Sequence, residues 1–187
     1  MKRNILFTSG ILILMLFVCI KLFGQGTEMT EEKHKHELKQ ITYEEALNYD
    51  SYGETIERPE EEWRNRLTGS EYRILRNKGT EIPFVNEYNG NEEAGIYICR
   101  GCGQPLYHSE TKYKSGTGWP SFYKPIDSEA VDEKEDNSFF MTRTEIVCSR
   151  CDSHLGHVFE DGPEPTGLRY CMNSAALFFI PKEANSE

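Results

Sequence analysis

Positive charge is scarce in this 187-residue chain: 21 lysines and arginines stand against 31 aspartates and glutamates, for a formal net charge of −10 at pH 7. Three of the cations, Lys2, Arg3 and Lys21, fall in the first 23 residues, where there is no acidic side chain, so the remainder carries 18 basic against 31 acidic groups. A body of that sign repels phosphate backbones, whose binding needs clustered Lys and Arg, and this argues against nucleic acid as a partner. Internal repeats are absent apart from one paired cysteine motif, and the length fits one domain of ordinary size with extensions.

The acid-free beginning is an apolar run, Ile5 to Ile20, broken only by Thr8, Ser9 and Gly10 and preceded by two cations. It predicts a signal peptide or membrane anchor over residues 1–25 and an exported protein of the cell envelope or periplasm, touching membrane only through this segment. Residues 26–40 lack aromatics and are rich in charge, which predicts a flexible linker with His34 and His36 in solvent. Thr42-x-x-Glu45 has the form of a capping box for a short helix. Pro59 and Glu60–Glu62 open a second helix, with Gly69 as its expected left-handed cap, and Ser70 is the expected cap of a third that ends at Gly79. Beyond Thr80 the turn residues recur every eight to twelve positions between β-rich runs such as IYIC and FFMTRTEIVC, which predicts short antiparallel strands.

Cysteine is sparse as well. Of six, Cys19 lies in the leader, and four form the pairs Cys99-Arg-Gly-Cys102 and Cys148-Ser-Arg-Cys151. Two matched CxxC pairs suit one tetrahedral zinc per chain, held as a structural clamp between distant strands; disulfides or a redox CxxC are the competing reading in an exported protein. Cys171 is left without a partner. Arg169 and Asn173, two residues to either side, share its face if this is a strand, and a cation there lowers a thiol pKa. His154, His157 and Asp161 follow the last paired cysteine and bring acid–base groups toward the thiol. Trp119, in the glycine-flanked loop KSGTGWPSF, can wall an apolar pocket.

From Trp63 to Pro181, through EYRILRNKGTEIPF, the two CxxC pairs, SGTGWPSF, HLGHVFEDGP and RYCMNSAALFF, the sequence resembles the B-type methionine sulfoxide reductases. The resemblance implies a mainly β fold, two antiparallel sheets preceded by helices, with the zinc away from the active site and the catalytic domain spanning residues 41–187. It implies reduction of the R epimer of methionine sulfoxide in oxidised proteins or peptides, a repair of oxidative damage. Cys171 would attack the sulfoxide sulfur and become a sulfenic acid; His157, His154 and Asn173 would place the proton, Arg169 and Asp161 would orient the set, and Trp119 and Phe159 would bind substrate. Many relatives carry a resolving cysteine where this chain has Thr117. Threonine forms no disulfide, so a one-cysteine cycle served by a thioredoxin-like thiol donor is expected. A zinc-clamped binding module and a thiol peroxidase are the competing functions.

Overall fold

The computed structural model describes residues 32–138 and 141–183; the expected leader and the start of the linker lie outside them. No helix among the described residues is long and apolar enough to cross a membrane. Four helical segments come first: α1 over residues 32–39, α2 Tyr43–Leu47, α3 Glu60–Arg66 and α4 Gly69–Leu75. Among the described residues nine strands follow: β1 Gly95–Cys99, β2 Pro105–His108, β3 Lys112–Tyr113, β4 Ser121–Phe122, β5 Val131–Asp136, β6 Arg143–Cys148, β7 His154–Phe159, β8 Arg169–Met172 and β9 Leu177–Pro181. They form two antiparallel sheets, ordered β2-β1-β9 and β3-β4-β8-β7-β6-β5, so the mainly β expectation holds.

Strand β1 shows how the layers are held. All five of its residues are buried, and they alternate between two cores, as the two-residue period of a strand requires. Tyr97 and Cys99 face the main core with Trp63, Ile74, Leu75, Tyr107, Phe122 and Met172. Ile96 and Ile98 face a second core made with Leu38, Tyr43 and Ala46 of α1 and α2. The first two helices therefore cover the outer face of the small sheet.

This corrects the flexible-linker expectation for residues 32–40. Leu38 is buried under the small sheet, and the His34 Nε2–H donates to the Arg100 carbonyl at 2.8 Å while Nδ1 accepts from the Arg66 guanidinium at 2.8 Å. A charged stretch reads as solvated by composition, yet two buried side chains on one face suffice to dock it. His36 is exposed and bonds Gln40 at 3.1 Å.

The Thr42 capping box forms with both of its bonds. The third helix is capped differently from expectation: Thr68, not Ser70, accepts from Glu71 N, and the Glu71 carboxylate returns to Thr68 N, so Gly69 is the first helical residue instead of a left-handed cap. Threonine three residues before a glutamate satisfies two backbone donors at once. The helix ends at Leu75, and Lys78, at φ 51°, takes the left-handed position before Gly79.

Candidate active site and metal centre

The two CxxC pairs end β1 in the small sheet and β6 in the large one, and each turns back through the same knuckle. Gly103 N donates to Cys99 O at 2.8 Å and Cys99 N to Gln104 O at 2.7 Å; Asp152 N donates to Cys148 O at 2.9 Å and Cys148 N to Ser153 O at 2.9 Å. Gly103 and Asp152 hold matching left-handed conformations, φ 81° and 57°. The four sulfurs consequently converge, all within 4.8 Å of one another, with Cys99 to Cys151 at 3.7 Å and Cys102 to Cys148 at 3.6 Å. Disulfide sulfurs sit at about 2.05 Å, whereas four thiolates about 2.3 Å from one zinc lie about 3.8 Å apart. The cluster fits a tetrahedral zinc that ties one sheet to the other.

Cys171 lies elsewhere, on β8 near the middle of the large sheet. Its strand neighbours are Ser121 on β4 and His157 on β7, each directly opposite it. Gly156 permits this approach of β7 to β8, since a Cβ there would fall 2.1 Å from the Cys171 carbonyl oxygen. The thiol is half-buried and borders a cavity of about 120 Å³, lined also by Trp119, His157, Phe159, Arg143 and Thr80. Thr117 Oγ1 is 3.8 Å from the Cys171 sulfur. Burial pushes the thiol pKa up, while Thr117 and the Arg169 cation pull it down, and burial prevails. The thiolate expected from Arg169 alone is thus opposed by the depth of the site.

His157 reaches the cavity and is held from behind. Its Nε2–H donates to the Asp136 carboxylate at 2.8 Å, and Arg143 donates to the same oxygen at 2.6 Å. The His157 bond first, then hydrogen bonds from Ser138 and last that of Arg143, hold Asp136 well below the usual carboxylate range. Burial lowers the His157 pKa despite the Asp136 bond, so the ring is neutral at pH 7. His154 lies behind it. In an unbroken strand residues three apart face opposite sides, but a bulge at Leu155 shifts the register between Ile146 and Val147 and brings the two rings to 5.4 Å, edge to face. His154 is 3% exposed, and its Nδ1 meets the buried Glu145 carboxylate at 2.7 Å; Lys78 Nζ holds the other oxygen at 2.7 Å.

Asn173 borders the cavity and is anchored there: Oδ1 accepts from Glu81 N at 3.1 Å and one Nδ2–H donates to the Leu155 carbonyl at 3.1 Å. Arg169 makes a two-pronged pair with Asp161 at 2.8 and 2.9 Å, and its guanidinium stacks 4.3 Å from the centre of the Phe159 ring. Asp161 itself is exposed. The fold thus gathers Cys171, His157, Phe159 and Trp119 around one opening, with Arg169 beside it, Asp161 acting through Arg169, and His154 and Asn173 as buried supports. Asp136, Arg143, Glu145 and Glu81 have no motif of their own in the sequence. Glu81 receives the backbone N–H groups of Ser174 and Ala175, just after Asn173, and burial raises its carboxyl pKa.

The SelR domain family matches residues 67–181, well over half of the chain. A peptide methionine sulfoxide reductase MsrB of Methanosarcina mazei is 60% identical over 128 residues, which are 68% of this chain and 91% of that protein. The like-named proteins of Hahella chejuensis and Leptospira interrogans are 56% and 52% identical, over 71% of this chain and 95% and 98% of their own lengths. With its four-cysteine cluster, its lone half-buried thiol and this extent of identity, the chain belongs to the SelR family, that of the B-type methionine sulfoxide reductases.

Proposed function

We propose that the protein reduces the R epimer of methionine sulfoxide in peptides or proteins, with Cys171 as the nucleophile. The observation that carries this is the placement of the thiol directly across from His157, at an opening walled by Trp119 and Phe159. A sulfoxide offers an apolar methyl group and a basic oxygen, and its sulfur becomes electrophilic only as that oxygen gains a proton. The indole would receive the methyl. With the Nε2–H of His157 committed to Asp136, Nδ1 is the basic atom of the neutral ring and can carry the thiol proton to the oxygen. Sulfur attacks sulfur to form an S–S bond. The protonated oxygen then passes from the methionine sulfur to Cys171, exchanging one S–O bond for another, as the S–S bond breaks, so methionine leaves and Cys171 is a sulfenic acid.

Arg169, pinned by Asp161, would favour the thiolate as it forms. Asn173 would keep the end of β8 in place, and His154 would fix the ring of His157. Two thiols then regenerate the enzyme: the first displaces the sulfenic oxygen as water and forms a mixed disulfide, and the second releases Cys171. Thr117 stands beside the sulfur without a thiol of its own, which supports a one-cysteine cycle with an external, thioredoxin-like donor. If the apolar leader exports the chain, that donor belongs to the cell envelope. Zinc held by Cys99, Cys102, Cys148 and Cys151 would supply stability.

The test is an assay of the purified protein with each sulfoxide epimer and dithiothreitol. Turnover of the R epimer alone, lost in Cys171→Ser, is expected. Turnover of the S epimer, or activity surviving that substitution, rejects the proposal.

A further inference from the structure

Three large apolar side chains stand in solvent on one four-residue stretch: Ile82, Phe84 and Val85 are 69%, 66% and 76% exposed. Isolated exposed hydrophobics are ordinary, but three together around Pro83 form a patch of the kind that marks an interaction surface. The stretch is also not loosely draped. Phe84 N donates to the Gly118 carbonyl at 2.8 Å and Asn86 Nδ2 to the same oxygen at 2.7 Å, while the Trp119 indole N–H donates to the Glu81 carbonyl at 3.3 Å. Phe84 adopts φ 64°, a left-handed conformation that is an outlier for a bulky aromatic. Gly118, at φ 91°, packs so closely that a Cβ there would lie 2.8 Å from Phe84 N and from Pro83 Cβ.

Backbone strain combined with exposed apolar surface is a poor solution for stability alone, since a relaxed loop could turn Phe84 inward or replace it. The ridge is continuous with the opening over Cys171: it is bonded to the loop carrying Trp119, and Glu81, next to Ile82, is bonded to Asn173. We propose that the ridge Ile82–Val85 binds the apolar residues flanking an oxidised methionine, so that the enzyme reduces methionine sulfoxide in an apolar sequence context in preference to a polar one. This rests on the reductase reading and adds the class of polypeptide the site prefers. A methionine side chain entering beside Trp119 must bring its own backbone and neighbours over the adjoining surface, and that surface is the ridge.

The experiment compares three substrates under dithiothreitol: N-acetyl-methionine-R-sulfoxide amide, a peptide with the R sulfoxide between Leu, Val and Phe, and one of equal length with it between Ser and Gly. The native enzyme should turn over the apolar peptide with a kcat/KM at least about tenfold above the polar one. In Ile82→Ser/Val85→Ser, which leaves the Phe84 backbone untouched, the two peptides should converge through a rise in KM for the apolar one, with kcat kept and the amide substrate unaffected. Phe84→Ser should do the same. Equal use of both peptides by the native enzyme, or a preference retained in the double variant, overturns the proposal. So does an effect seen only when a thioredoxin replaces dithiothreitol, which assigns the ridge to the donor, or a dimer in sedimentation that the double variant dissolves, which assigns it to self-association. Failure of the native enzyme on all three substrates would instead reject the reductase reading itself.

Discussion

Two regions of this molecule use cysteine for opposite ends. At the junction of the sheets, four sulfurs converge from two matched knuckles, three of them buried, and no cationic side chain among the described residues donates to them. On β8 a single sulfur sits half-exposed at a cavity with Arg169 and Thr117 near it and a histidine on the next strand. The clamp joins strands distant in sequence, so its loss should be felt by the whole fold. The reactive site is built on strands already paired on both sides, so its sulfur can be altered without loss of the sheet.

The largest effect should therefore come from the clamp. A structural zinc contributes on the order of 10 kcal/mol in small metal-folded peptides. Cys99→Ser, or chelation during mild unfolding, should leave a chain that does not refold cooperatively, read by near-ultraviolet circular dichroism and by elemental analysis of about one zinc per native chain. Normal unfolding after complete zinc removal breaks the contrast. Cys171→Ser should do the reverse, with activity down by a factor of about 10³ or more and stability within about 1 kcal/mol of the native protein.

Smaller effects should come from the supports of His157. Asp136→Asn keeps the size of the side chain but removes the charge that holds the Nε2–H and Arg143. A fall in kcat of about tenfold to a hundredfold is expected, with KM little changed and the pH–rate profile displaced, since an oriented acid–base group contributes about 10² to 10⁴. An unchanged profile would show that Asp136 only ties β5 to its neighbours.

The two regions also differed in how much the sequence disclosed. The clamp was legible because its ligands come in local pairs, and CxxC on a turn aims both sulfurs one way. Cys171 was legible because it was left over. The partners of His157 were not, since Asp136 and Arg143 come from β5 and β6 and meet it only through strand pairing. Nor was the bulge at Leu155, without which His154 would point to the other side of the sheet from His157. Asn173 was read as facing substrate from its spacing, and it does line the cavity, but its anchoring to Glu81 and Leu155 had no signal in the sequence. At the clamp end, α1 was hidden because a charged composition masks the two positions, His34 and Leu38, that bury.

The smallest effect expected is a dependence of stability on pH, and it can be apportioned between the ends. His34 beside the clamp, and His154 and His157 at the site, are all held below their ordinary pKa, in each case chiefly by burial. Folding thus favours the neutral rings. Above about pH 6.5 both folded and unfolded chains have neutral histidines and the stability is fully present. As pH falls from there toward the lowered folded values, the unfolded chain takes up protons that the native one refuses, and stability declines. His34 has a specific reason to refuse one: Nδ1 accepts from Arg66, with Glu37 at 3.8 Å as the nearest compensating carboxylate and Arg100 lending its carbonyl to Nε2. Glutamine can accept at Oε1 and donate from Nε2, which reproduces both bonds without titrating. His34→Gln should therefore melt within a few degrees of the native protein at pH 7.5 and lose less on going to pH 5.5. A slope identical to that of the native protein would place the acid sensitivity wholly at the active-site end.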